Sequence, residues 1–276
     1  MIAFQNVSAC YDQPNGETHQ VLHSIDLTIE QGEFVAIMGR NGSGKTTLAR
    51  LCNGLILPSE GKVCVNGLEI IPENNNHVQE IRRSVGMVFQ NPDNQIVSTT
   101  VEREIAFGLE NLGILQDEMH KRVDHALTAF DLEKYRHKPP GLLSGGEKQR
   151  LALAAVMAMQ PLHLVLDEPL AMLDYAQKTK LLPLITDLNK KKSNQVAPTI
   201  IFITQDPVEA LFAQRLIILH SGKIFLDGPP HEIFLREEIL QEAGLIPPID
   251  FSAYLLLKKH KNPVTSLQEI LLEPIL

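Results

Sequence analysis

Nine consecutive residues carry the first chemistry. Gly39, Arg40, Asn41, Gly42, Ser43, Gly44, Lys45, Thr46 and Thr47 fit the spacing G-x-x-x-x-G-K-[ST] of a phosphate-binding loop. Glycines allow positive φ and close backbone approach, so successive N–H groups can point into one concavity and hold phosphate oxygens. Lys45 brings a compact positive charge toward the β- and γ-phosphates, and the Thr46 hydroxyl is a ligand for Mg²⁺. The helix expected from Thr46 offers its N-terminus to the same anion.

Two further runs add groups that such a site needs. Leu162 to Leu166 is an apolar run ending in Asp167-Glu168-Pro169. Asp167 is placed to hold Mg²⁺ through water. Glu168 is placed to polarise an attacking water as a general base. Alone, an apolar run ending in Asp-Glu is common; beside a phosphate loop it completes a site. Leu143-Ser144-Gly145-Gly146-Glu147-Lys148-Gln149-Arg150 turns on glycines and enters a helix. Ser144 with Glu147 three residues on is also a capping box, so a capped helix start explains part of this run. It leaves Gly145 and Gly146 unexplained, because ordinary helix formers would serve better there.

The elements that must position these groups follow from patterning. Phe34 to Met38 is an apolar run of buried-strand length just before the phosphate loop. Strands are expected over 2–9, 21–29, 162–166, 199–203 and 215–219, with turns at Pro14-Asn15-Gly16 and Gln31-Gly32-Glu33. Residues 61–67 alternate and end in Asn-Gly, a hairpin signal. Helices are expected from Thr100, over Asp117 to Phe130, and over 145–159, 175–190 and 207–213, with Pro139-Pro140-Gly141 as a break. Alternating strand and helix argue an α/β fold with a parallel sheet, preceded by antiparallel strands and interrupted by a helical lobe at about 91–150. Phosphate is then expected outside the carboxyl end of the first core strand. The tail reads as short helices over Glu232 to Ala243, Phe251 to His260 and Ser266 to Leu272. The division expected is a nucleotide-binding unit over 1–240 and an accessory or assembly segment over 241–276.

Bulk properties exclude little but agree. The 276 residues have an ordinary apolar content of 44% and a net charge of −8. A basic face for nucleic acid is not the expectation, and Lys190-Lys191-Lys192 reads as a solvated loop. Three cysteines, without C-x-x-C, argue a reducing compartment and no structural metal. The N-terminus lacks the basic and apolar regions of a signal peptide. The longest apolar run, Leu151 to Met159, is far short of the ~20 residues that span a bilayer, so a membrane role would require partners.

Taken together, these motifs resemble the nucleotide-binding subunits of ATP-binding-cassette transporters, from about residue 2 to about residue 240. Leu143 to Arg150 resembles the family signature. The resemblance implies that Tyr11 stacks on adenine, that Gln90 senses Mg²⁺ and the membrane partner, and that the loop Ala171-Met172-Leu173-Asp174 crosses a dimer interface. Val88 to Gln95, with Thr100-Val101 and Ala106 to Asn111, is similar to the energy-coupling-factor ATPases, most of all the first of their two paired ATPases. The implied fold is a P-loop NTPase: a RecA-like core with an antiparallel β subdomain, a helical subdomain and a short carboxyl-terminal helical extension. The implied activity is ATP hydrolysis with Mg²⁺, held by Thr46, Gln90 and Asp167, to drive uptake of vitamins or transition-metal ions. The implied partners are a second ATPase subunit, identical or not, whose ATP meets Ser144, Gly145, Gly146 and Glu147, an integral membrane coupling subunit and a substrate-binding membrane subunit. The implied location is the cytoplasmic face of the cell membrane, with no nucleic acid bound.

Three residues depart from the family pattern. Glu147 stands where many members have Gln, Tyr175 where a proline is frequent, and Gln205 where a histidine precedes Asp206. That histidine contacts the γ-phosphate and orients the water; Gln205 donates and accepts hydrogen bonds but carries no charge. Two alternatives therefore stand beside the transport ATPase. One is a regulatory nucleotide-binding subunit with weak hydrolysis. The other is the ATPase of a dedicated cobalt or nickel importer. A soluble cassette acting on nucleic acid or ribosomes is disfavoured by the acidic charge and the wording of residues 88–111.

Overall fold

The computed structural model describes residues 1–12, 16–71, 75–190 and 197–259. Part of the expected turn at 14–16, Lys191, Lys192, His260 and the helix expected over 266–272 lie outside the described residues.

The chain opens with the antiparallel strands β1 (Ile2–Asp12) and β2 (Thr18–Ile29), then enters β3 (Phe34–Met38) and α1 (Lys45–Leu51). It returns to the antiparallel layer through β4 (Glu60–Val65) and β5 (Leu68–Glu69). Asn66 and Gly67 join them with φ of 52° and 82°, the two left-handed residues that a tight hairpin of this twist requires. Next come α2 (Asn75–Ser84) and β6 (Val85–Val88), then the helical lobe of α3 (Val101–Asn111), α4 (Gln116–Ala129) and α5 (Gly145–Ala158). The second half alternates: β7 (His163–Asp167), α6 (Tyr175–Asn189), β8 (Thr199–Ile203), α7 (Pro207–Ala210), β9 (Arg215–His220) and β10 (Lys223–Gly228). Short helices α8 (Pro230–Phe234), α9 (Glu237–Glu242) and α10 (Ile249–Lys259) follow.

The small sheet has the order β2-β1-β4-β5 and the large one β10-β9-β3-β8-β7-β6. The large sheet is parallel except for β10 at its edge. Its parallel strands are buried on both faces, which is why they read as apolar runs, whereas β10 is only half-buried. Period two still divides them. Phe34, Ala36 and Met38 of β3 face a core shared with α3, α4 and α5, whereas Val35 and Ile37 face one shared with α1 and the small sheet. Residues Ile37, Ile203 and Asp167 stand in register across β3, β8 and β7, so the loops after these strands emerge side by side.

Several elements differ from the sequence expectation. Residues 232–243 do not form one helix: the chain breaks at Arg236, whose φ and ψ of −96° and 58° are not helical. The helix expected over 207–213 stops at Ala210. Residues 75–84, 85–88 and 223–228 form elements that patterning did not anticipate. Helix α10 packs inward at Phe251, which lies edge-to-face on Phe234 with ring centroids 5.8 Å apart, and both belong to the same core as the helical lobe.

Candidate ATP site

The phosphate loop is fixed from behind. A Cβ on Gly39 would stand 2.3 Å from the Leu219 carbonyl oxygen and 2.5 Å from Ser43 Oγ, so β3 leaves the sheet where only glycine fits. Gly44, at φ 104°, begins α1, and a Cβ there would meet Leu22 Cδ2 at 2.5 Å. Lys45 is only 6% exposed. Its Nζ donates to the carbonyl oxygens of Gly39 (2.8 Å) and Arg40 (3.1 Å) and so folds back over the loop. Burial lowers the Lys45 pKa, while the carboxylates of Glu168 and Asp167 oppose that shift. Ser43 Oγ is buried without a partner among the described residues. Arg40, Asn41 and Gly42 form the exposed outer lip of the loop. Tyr11 reaches the loop from β1: its hydroxyl lies 3.3 Å from Thr47 Oγ1.

The acidic pair sits directly opposite. Asp167, at the end of β7, is 2% exposed, and burial raises its pKa. A hydrogen bond with the Thr46 side chain acts against this rise. An oxygen-rich set of Thr46, Asp167 and Gln90 suits a hard divalent cation. Glu168 has a left-handed backbone, φ 49°, and its N–H donates to the Ile203 carbonyl at 3.0 Å. This kink is uncommon for a residue with a side chain and is held by the neighbouring strand. It turns the carboxylate between two amides. Gln90 Nε2 donates to Oε2 at 2.7 Å, and Gln205 Nε2 donates to Oε1 at 2.5 Å.

Gln90 and Gln205 each leave a strand on a fixed turn. After Gln90, Asn91 caps a short turn by accepting from the Asp93 N–H at 3.0 Å, and Gln95 Oε1 accepts from the Phe89 N–H at 3.2 Å. After Gln205, Asp206 caps α7 by accepting from the Val208 N–H at 2.9 Å. Sequence reasoning passed over the residues behind Gln205. Thr204 and Glu209, both buried, share a hydrogen bond of 2.5 Å, and Lys178 of α6 donates to Glu209 at 2.8 Å. The usable signal was an acidic residue in a helix that begins Asp-Pro, a position that contributes nothing to an apolar stripe.

The second glycine motif has a different setting. Ser144 caps α5 by accepting from the Glu147 N–H at 3.3 Å, and Glu147 Oε2 accepts from the Ser144 N–H at 2.7 Å. Hydrogen bonds from Tyr135 and then from the Ser144 backbone hold the Glu147 carboxyl down to about 2. The expected capping box is therefore present. Asp174 caps α6 by accepting from the Gln177 N–H at 2.8 Å and is exposed. Around these motifs, Leu142, Met172 and Tyr175 are 67%, 49% and 83% exposed.

A family model described as ABC transporter matches residues 22–171. An energy-coupling factor transporter ATP-binding protein EcfA1 of Caldanaerobacter subterraneus subsp. tengcongensis is 44% identical over 260 residues, covering 94% of this chain and 92% of the relative. The chain belongs to the ABC transporter ATPases, in their energy-coupling-factor branch. The EcfA1 protein of Clostridium novyi is 43% identical over 92% of this chain and 89% of its own. Among solved structures, the ATP-binding cassette MJ0796, a dimer in a post-hydrolysis state bound to ADP and Pi, superposes with a TM-score of 0.76 at 30% identity. That match covers 83% of this chain and 99% of the cassette. The cbiO1 protein from Clostridium perfringens, part of the ABC transporter complex cbiONQ, gives a TM-score of 0.73 at 32% identity over 92% of this chain and 98% of its own. As a member of this branch the chain is an ATP-binding, ATP-hydrolysing subunit of a transporter. Among the described residues no helix is long and apolar enough to cross a membrane.

Proposed function

We propose that this chain powers an energy-coupling-factor importer for vitamins or transition-metal ions from the cytoplasmic face of the membrane. It works as one of two ATPase subunits facing each other head to tail, with a membrane coupling subunit and a membrane substrate-binding subunit. The observation that carries the reading is the Glu168 carboxylate, held by Gln90 and Gln205 and opposite a buried lysine on a phosphate loop. Residues 1–240 form the nucleotide-binding unit, 91–150 its helical lobe, and 241–276 an accessory segment.

In this reading the loop amides of Gly39 to Thr47 bind the phosphates, and Lys45 leaves the carbonyls of Gly39 and Arg40 to meet the terminal ones. Tyr11 stacks on adenine. Thr46 and Gln90 would hold Mg²⁺ directly and Asp167 through water; the cation neutralises phosphate charge. Glu168 takes the proton of the water that attacks the γ-phosphorus in line, and ADP leaves as the bond to its bridging oxygen breaks. Gln205 and Gln90 aim its two oxygens. Ser144, Gly145, Gly146 and Glu147 face the ATP held by the partner ATPase, and Asp174 lies in the loop that crosses the interface. Gly145 favours this arrangement. A Cβ there would meet only Met172 Sδ at 3.8 Å, so no neighbour among the described residues requires a glycine.

In the assembled transporter, Glu168→Gln should trap ATP and stop both hydrolysis and uptake; unchanged turnover would overturn the assignment. A second reading rests on Gln205. If this subunit is a regulatory module that binds ATP and hydrolyses slowly, Gln205→His raises turnover strongly. No change on that substitution removes the regulatory reading. Copurification with membrane subunits rather than nucleic acid checks the partners.

A further inference from the structure

Two adjacent side chains on the first turn of α6 face two different parts of the site. Gln177 lies against the signature. A Cβ on Gly146 would stand 2.8 Å from Gln177 Oε1, 3.4 Å from Leu173 Cδ2 and 3.6 Å from the Met172 carbonyl oxygen. Gly146, unlike Gly145, is thus a seat for the 171–174 loop and for this turn. Gln177 Oε1 is buried there with no hydrogen-bond donor among the described residues.

Lys178 faces the other way. Its Nζ donates to Glu209 Oε1 at 2.8 Å and lies 3.7 Å from Asp206 Oδ2. The other oxygen of Glu209 accepts from Thr204 Oγ1, and Thr204 Oγ1 in turn accepts from the Asp206 N–H at 3.0 Å. Gln205 lies between Thr204 and Asp206, so this network fixes the backbone on both sides of the residue that grips Glu168. The turn is also tied to the 171–174 loop. The Asp174 carbonyl accepts from the Lys178 N–H at 2.9 Å while its carboxylate caps Gln177.

We propose that Gln177 and Lys178 are positioning residues that link the two nucleotide sites of an ATPase pair. This rests on the paired-site reading above. In that pair Gly146 faces the partner's ATP, while Gln205 and Glu168 act on this chain's own. A rigid helical turn touching both moves them together. When the partner's nucleotide draws in the signature, Gln177 carries the shift into α6, and Lys178 carries it through Glu209 to the Gln205 loop. The link is strong at its Lys178 end because the Glu209 side chain is only 8% exposed. A charge buried at that depth tolerates loss of its partner poorly, whereas an arginine retains the pair.

The test uses the assembled transporter and reads four quantities: maximal ATP hydrolysis rate, the Hill coefficient for ATP, ATP affinity by equilibrium binding, and melting temperature. Lys178→Gln and Gln177→Leu should each lower the maximal rate roughly 5- to 10-fold and move the Hill coefficient toward 1, with affinity unchanged within about twofold. The double variant should be no worse than either single one, because one link is broken once. Lys178→Arg should restore the native rate. A merely structural role predicts parallel loss of affinity and melting temperature in both variants, and that result overturns the proposal. So does a full rate with an unchanged Hill coefficient, or single effects that multiply in the double variant. If Lys178→Gln does not fold, Gln177→Leu and Lys178→Arg suffice to uphold or overturn the link. Glu168→Gln run alongside separates the two claims. If it stops hydrolysis while the link variants are silent, only the link is wrong; if it hydrolyses at the native rate, the catalytic reading itself fails.

Discussion

The chain contains two glycine-bearing helix starts, at Gly39–Lys45 and at Ser144–Gly146, and they differ in how far one chain completes them. At the first, every constraint is internal. Gly39 is walled by Leu219 and Ser43, Gly44 by Leu22, and Lys45 is folded onto the loop carbonyls. At the second, the helix is fully capped, yet Gly145 meets almost nothing and the apolar side chains of Leu142, Met172 and Tyr175 lie open. Sequence demands that neighbours within the chain explain concern folding. Those they do not explain concern what arrives from outside.

The largest test of this contrast is at the first start. Lys45→Met should cut ATP affinity roughly 100-fold, the scale of about 1.5–3 kcal/mol for hydrogen bonds to a charged group, measured by equilibrium nucleotide binding. A matched pair of glycine substitutions then compares the two starts. Gly39→Ala forces a Cβ onto a backbone oxygen and should cost about 1–3 kcal/mol, seen as a lowered melting temperature of the isolated chain. Gly145→Ala should leave that melting temperature in place and lower hydrolysis by the assembled pair about tenfold. Equal melting losses in both would erase the distinction between the two starts.

The smallest effect is expected at the cap. Glu147→Ala removes half of the capping box and should cost about 1 kcal/mol. Because the folded carboxyl is held at about 2, below its ordinary 4.5, its contribution is complete above pH 4.5. It is lost as pH falls toward 2, so native and Glu147→Ala melting temperatures should converge over that interval.

Much of this was legible in sequence where one residue type answers to one local demand. The phosphate loop, the Asp167-Glu168 strand end, the Ser144 cap and the Asn66-Gly67 hairpin all fall in that class. Elements lacking a strong local pattern were not. Val85-Gly86-Met87-Val88 is a short strand interrupted by a glycine whose reason is distant: a Cβ there would meet Val156 and Pro161 at 2.6 and 2.8 Å. The break at Arg236 likewise follows from packing, since Phe234 and Leu240 must both reach the core. The links from Lys178 to Glu209 and Thr204 join residues that are ordinary singly and meet only when α6, β8 and α7 pack.

Gln205 presents a neutral amide to Glu168. An imidazole in that place would gain a proton as its surroundings acidified, near its ordinary pKa of about 6.5. Gln205 has none to gain, so its grip on Glu168 is the same in mildly acid and mildly alkaline surroundings. Mild acidification around the site would leave the Gln205 amide as it was.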